Sequence, residues 1–126
     1  MNAPFPMPVP SARLRFGAVR GVDWNDTLQL TSTTLEHGNP VTRPLSLDNT
    51  FQAIVIDQGK GVTPIGLSSV AGDILIADAE QAWVQIYVPG LRIASWLLGT
   101  WPFQWRLFRP GAITQIAAGT VLITER

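Results

Sequence analysis

The sequence predicts an all-β domain, a sandwich or barrel of about seven or eight short strands, and three observations carry that prediction. Apolar residues recur with a period of two in one short run after another. Glycine and proline turn signals separate the runs. Only one stretch, Leu91 to Leu98, offers a helical turn. With 126 residues the chain fits one core and cannot comfortably hold two.

Residues 1–12 read as an extended, proline-rich arm, and residues 13–126 as a single β-sandwich domain. Proline occupies positions 4, 6, 8 and 10, which removes backbone donors, fixes φ near the polyproline value and forbids helix. The positions between carry Phe5, Met7 and Val9, apolar side chains that a merely solvated tail does not need. They are interface candidates for docking of the arm on a neighbouring subunit, with a floppy tail as the alternative reading.

From Leu14 the alternation begins: Leu14, Phe16 and Ala18 point one way, Arg13 and Arg15 the other, as in a half-buried strand. Trp24, Leu28 and Leu30 share a face opposite Thr27, Gln29 and Thr31. Ile74 and Ile76 follow Gly72. Val84, Ile86 and Val88 alternate with Trp83, Gln85 and Tyr87. Trp101, Phe103, Trp105 and Leu107 form the strongest stripe, and Val121 and Ile123 close the series. Turns are expected at His37-Gly38-Asn39-Pro40, Gln58-Gly59-Lys60-Gly61, Val88-Pro89-Gly90 and Arg109-Pro110-Gly111, where glycine tolerates positive φ and proline presets the bend.

Composition narrows the function classes. Nine basic residues balance nine acidic ones, and only Lys60 among the basic ones is a lysine, so no broad cationic surface exists to displace counterions from nucleic acid. Charged residues are 14% of the chain, against about a quarter in an ordinary soluble domain. So sparsely charged an exterior predicts a subunit of an oligomer. The absence of cysteine excludes disulfides and thiolate metal sites. The N-terminus lacks the charged start and apolar stretch of a signal peptide. The longest apolar stretch, Leu91 to Phe108, holds Arg92, Arg106 and Pro102 and is no membrane span. The chain is therefore expected to bind neither nucleic acid nor membrane.

Catalytic chemistry finds little material. His37 is the sole histidine, so a nucleophilic triad or a His-ligated metal must run through it, yet it sits in a Glu-His-Gly-Asn-Pro turn with no second histidine and no nucleophile elbow anywhere in the chain. It reads as a surface residue. Asp23 and Asp26 flank Trp24, and Asp73, Asp78 and Glu80 cluster around a strand end, but no calcium-loop pattern is present and such residues ordinarily cap the local backbone. Gly59-Lys60-Gly61 is a turn and no phosphate loop. No cofactor or metal is expected. A small hydrolase or isomerase would need a convergent polar pocket that one histidine and scattered carboxylates do not assemble. Among the five tryptophans, Trp24, Trp101 and Trp105 are in phase with core residues. Trp83 and Tyr87 share the face opposite Val84 and Ile86, and Trp96 lies in a connecting segment, so these three join the interface candidates, with glycan stacking as the alternative use.

The order of these features resembles the immunoglobulin-like N-terminal module of phage upper-baseplate proteins and its stand-alone relatives among phage structural proteins, from about Arg20 onward. The residues that carry the resemblance are Arg20-Gly21-Val22-Asp23-Trp24, the Gly-Asn-Pro-Val turn, Phe51–Ile56, Ala71-Gly72-Asp73-Ile74-Leu75-Ile76, Trp83–Val88, Gly99–Leu107 with its alternating aromatics, and Gly119–Ile123. The resemblance implies an immunoglobulin-like antiparallel sandwich. It implies a non-enzymatic virion component made in the host cytoplasm, in a tail or baseplate, a head-tail or fibre-attachment adaptor or a decoration, whose partners are other virion proteins in a ring or homo-oligomer. It brings no catalytic residues. Two features depart from the family: the proline arm is an unusual leader, and no long C-terminal extension follows to carry a receptor-binding head. The runner-up is a carbohydrate-binding or adhesin module built on Trp83, Tyr87 and Trp96.

Overall fold

The structure, a computed structural model, describes residues 12–126. They form ten strands and one helical turn: β1 (Ala12–Val19), β2 (Trp24–Gln29), β3 (Thr31–Glu36), β4 (Asn39–Pro44), β5 (Phe51–Ile56), β6 (Ile65–Ser68), β7 (Ile74–Asp78), β8 (Trp83–Val88), α1 (Gly90–Ile93), β9 (Gly99–Arg109) and β10 (Ala112–Thr124). A five-stranded sheet of order β1-β10-β9-β5-β6 faces a three-stranded sheet of order β2-β8-β7. The all-β sandwich expected from the alternation is the architecture found.

The inward positions are those the period of two selects. Phe16 and Ala18 from β1, Ile54 and Ile56 from β5, Phe103, Trp105 and Leu107 from β9, and Val121 and Ile123 from β10 meet Trp24, Ile74, Val84, Ile86 and Val88 from the facing sheet in one buried cluster. Trp105 is completely buried, and its indole N–H finds an acceptor in Gln52 Oε1 at 2.8 Å, which makes a buried polar atom of each tolerable. Phe16 bridges the sheets with ring centroids 5.4 Å from Trp24 and 5.4 Å from Phe103.

Two expectations need correction. The strand count rises from seven or eight to ten because β3, β4 and β6 give little hydrophobic signal. β3 and β4 form a threonine-rich hairpin bonded only to each other, and β6 has four residues including Gly66. The sandwich is also not wholly antiparallel, since β1 runs parallel to β10, with Ala12 opposite Ala117 and Val19 opposite Thr124. Close approach makes that pairing feasible: a Cβ on Gly119 would lie 1.8 Å from the carbonyl oxygen of Leu14.

The turns follow the expected chemistry. His37 and Gly38, at φ 53° and 80°, form the two-residue connection of the β3–β4 hairpin, with the paired positive φ of a type I′ turn. Pro110-Gly111, with Gly111 at φ 77°, joins β9 to β10 as proline then positive-φ glycine do in a type II turn. Among the described residues no helix is long and apolar enough to cross a membrane.

Candidate functional site

The carboxylates singled out in the sequence are occupied locally. Asp23 Oδ1 accepts the Gly90 N–H at 2.7 Å, and its Oδ2 accepts the Tyr87 hydroxyl at 3.2 Å. Asp26 accepts the Trp24 indole N–H at 2.6 Å. Asp78 accepts the backbone N–H groups of Glu80 and Gln81, closing its turn. Asp73, nearly buried, accepts from Ser68 N–H and from Arg92, whose other guanidinium nitrogen donates to the Gly66 carbonyl. Among the described residues no three His, Asp or Glu side chains gather into a metal-binding group. His37 sits exposed at the hairpin tip.

The segment Arg20–Trp24 ties the molecule together. Arg20 donates through Nε to the Trp96 carbonyl at 2.7 Å and pairs through Nη1 with Glu125 at 2.8 Å. Gly90 packs so tightly on the Gly21-Val22 peptide that a Cβ there would meet it at 2.5 to 2.6 Å. The β1–β2 turn, the α1 turn and the C-terminus are thereby joined.

Exposed apolar side chains lie on the β3–β4 hairpin at Leu35, on α1 at Leu91, on turns and connections, among them Val70, Leu97 and Leu98, and on the outer faces of the two sheets. On the three-stranded sheet, Trp83 and Tyr87 are 41% and 42% exposed, four positions apart on β8 and hence about 13 Å apart along the strand. Leu75 on β7 lies opposite Gln85 between them. Neutral amides lie between and beside the two aromatics, where Gln85 donates to Asn25 Oδ1 at 2.8 Å and Gln29 to the Gln81 carbonyl at 3.0 Å, while carboxylates stand at the two ends, Asp78 opposite Trp83 and Asp23 at the Tyr87 hydroxyl. The Tyr87 hydroxyl is held above its ordinary pKa of 10.0 by its hydrogen bond to the Asp23 carboxylate and by the charge of that carboxylate.

Trp96 does not join this face. It is 5% exposed and packs edge-on against Trp24, with centroids 6.3 Å apart and planes at 88°. The chain leaving α1 folds back through the Trp96 N–H to Ile93 carbonyl bond, which turns both Ile93 and Trp96 into the core. Its place among the surface candidates is therefore withdrawn. Phe5, Met7 and Val9 lie outside the described residues.

The sequence reading missed a second apolar group. On the outer face of the five-stranded sheet, Phe51, Phe108 and Ile113 stand opposite one another on β5, β9 and β10. The two phenyl rings stack with centroids 4.6 Å apart and planes within 3°. Phe51 is 45% and Ile113 67% exposed. A signal existed, since Phe108 falls one position out of phase with the inward stripe that ends at Leu107. A shallow recess of about 590 Å³ lies further along the same sheet among Val55, Asp57, Lys60, Pro102 and Gln104. It opens to solvent and gathers no set of groups suited to catalysis.

No protein-family profile matches the sequence, and no curated protein matches it.

Proposed function

We propose that the chain is a non-enzymatic structural module that works by protein–protein assembly, and that its setting is a bacteriophage virion. The observation that carries the assembly part is the outer face of the three-stranded sheet, where Trp83, Tyr87 and Leu75 stand half-exposed around neutral amides with no charged side chain between them. Large aromatic anchors on either side of a neutral strip, with charge kept to the ends, are what a desolvated interface uses. The strand order supports the immunoglobulin-like part of the reading. With the β3–β4 hairpin set aside as an insertion, β2-β8-β7 facing β10-β9-β5-β6 follows the two-sheet order of an immunoglobulin sandwich. The virion setting rests on the sequence resemblance alone.

The test is light scattering on the full chain, beside a variant carrying Leu75→Ser, Trp83→Ser and Tyr87→Ser, together with co-purification of the chain with phage particles. An oligomer, or a particle-bound chain, that the substitutions release is the expected result. A monomer that never associates with virion proteins overturns the proposal. The second reading, a glycan platform, is favoured by the aromatic pair with Asn25, Gln29 and Gln85 amides beside it, since aromatic faces stack on pyranose rings while amides bond their hydroxyls. Glycan-array binding lost on Trp83→Ser would establish it, and an empty array removes it.

A further inference from the structure

We propose that the free edge of β1 takes an extended, acidic peptide segment of a partner protein as an added strand, with two of its carboxylates set against Arg13 and Arg15. The edge belongs to the five-stranded sheet, so the inference adds a second site to the assembly reading and stands whether or not the Trp83 face binds a neighbour.

Backbone parity opens the edge. β1 is the outermost strand of its sheet and runs parallel to β10 in unbroken register. Arg20, even-numbered, donates its N–H to the Thr124 carbonyl, so even-numbered residues of β1 turn their backbone groups toward β10 and odd-numbered ones turn theirs away. The Val19 carbonyl accepts the Val22 N–H and closes the edge at the turn. Arg13, Arg15 and Gly17 thereby present N–H and C=O groups that no described strand pairs, and all three residues are exposed. An open row of this kind is a template for one more strand.

Charge selects the strand. Among the described strand arginines, Arg43 pairs with Glu36, Arg106 donates to Gln104 and Arg109 to the Ser46 carbonyl, whereas Arg13 and Arg15 have no acceptor. The neighbouring strands β10 and β9, like β1 itself, contain no aspartate or glutamate to neutralise them. A second copy of β1 laid antiparallel on this edge would bring arginines against one another, which like-charge repulsion disfavours. Carboxylates at alternate positions of a partner strand meet both arginines on one face of the ladder.

Shape fixes a third position. Arg13, Arg15 and Gly17 stand opposite Ala118, Thr120 and Leu122 of β10. A Cβ on Gly17 meets nothing within 4 Å, and Leu122 beside it is 47% exposed. The open groove of about 890 Å³ along these residues therefore has room at Gly17 for an apolar side chain. In antiparallel order the partner reads apolar, any residue, acidic, any residue, acidic, with the apolar group over Leu122 and the carboxylates opposite Arg15 and Arg13.

The probe is a fluorescein-labelled peptide with Leu-Thr-Glu-Thr-Glu at its centre, titrated with the full chain by fluorescence polarisation. Saturable binding of one peptide per chain is expected. It should weaken about ten-fold when both glutamates become glutamine, and by a similar factor in the chain carrying Arg13→Gln and Arg15→Gln. Both arginines are exposed and unpartnered, so that variant keeps its urea midpoint. Methylating the backbone nitrogens of the leucine and both glutamates is expected to abolish binding, because the edge then finds no donors. No binding at about 1 mM, equal affinity for the glutamine peptide, or affinity unmoved by the arginine substitutions overturns the proposal. Affinity that survives methylation overturns it too, since the attraction is then one of charge without strand pairing. A substituted chain that dimerises while the native chain binds no peptide also overturns it, the arginines then serving only to keep β1 from pairing with itself.

Discussion

At the scale of single residues, two glycines on one pair of strands show how local the constraints are. Gly17 and Gly119 both lie in the β1–β10 region, but a Cβ on Gly17 meets nothing within 4 Å while one on Gly119 would sit 1.8 Å from a backbone oxygen. Backbone cannot step aside as a side-chain tip does, so Gly119→Ala is expected to cost about 3 kcal/mol, whereas Gly17→Ala should be neutral or slightly stabilising. Urea midpoints of the two variants decide it. Tyr87 offers a second test, because it is the only tyrosine and its phenolate absorbance reports one group. The neighbouring Asp23 carboxylate disfavours the phenolate, so the folded pKa lies above the unfolded value. The contact therefore stabilises the fold at every pH below 10, and that contribution is lost as pH rises through the raised folded value. Asp23→Asn is expected to bring the titration back toward 10.0. A titration unmoved by the change would show that Asp23 is not the cause.

At the scale of elements, the β3–β4 hairpin stands apart. It pairs with neither large sheet, and Leu35 on it is exposed, so its stability is its own and that of an isolated hairpin is marginal. Gly38→Val forces a β-branched residue to φ near 80° at a cost of about 1–2 kcal/mol. The expected outcome is about ten-fold faster amide exchange in Ser32–Arg43 with little change in the global urea midpoint. A matching fall in global stability would mean the hairpin is part of the cooperative core. The same contrast explains which elements the sequence disclosed. β1, β8 and β9 were readable because one face of each is buried and the other wet. β3 and β4 bury little on either face, so polarity alternates with nothing. β5 was readable as a strand, yet its facing was ambiguous: Gln52 is buried and Phe51 exposed, the reverse of what side-chain chemistry implies, because Trp105 needs an acceptor in the core. Trp83 and Tyr87 were legible as a surface pair from the period of two. Trp96 was not legible, since its burial depends on a single helical turn that brings it onto Trp24. The parallel pairing of β1 with β10 joins strands a hundred residues apart, and no local pattern encodes it.

At the scale of the whole molecule, charge decides how an association of this chain must respond to salt. Nine positive and nine negative side chains leave no net repulsion between copies, and neither outer face carries a dense field of one sign. Of the three ion pairs among the described residues, each holds a local turn, hairpin or chain end, with at least one partner substantially exposed. Such pairs contribute about 0–1 kcal/mol apiece and are screened by salt. An interface built on Trp83, Tyr87 and Leu75 draws instead on removal of apolar area from water, which salt does not screen and sulfate strengthens. The associated fraction of the full chain, with or without its partner, is therefore expected to hold between about 0.1 M and 1 M sodium chloride, where the screening length falls from about 10 Å to about 3 Å. It is expected to rise in ammonium sulfate. Light scattering across that series distinguishes the alternatives: a fall with sodium chloride would move the interface from the aromatic face to the arginines of β1, Arg13 and Arg15, whose guanidinium groups line the outer edge of the five-stranded sheet.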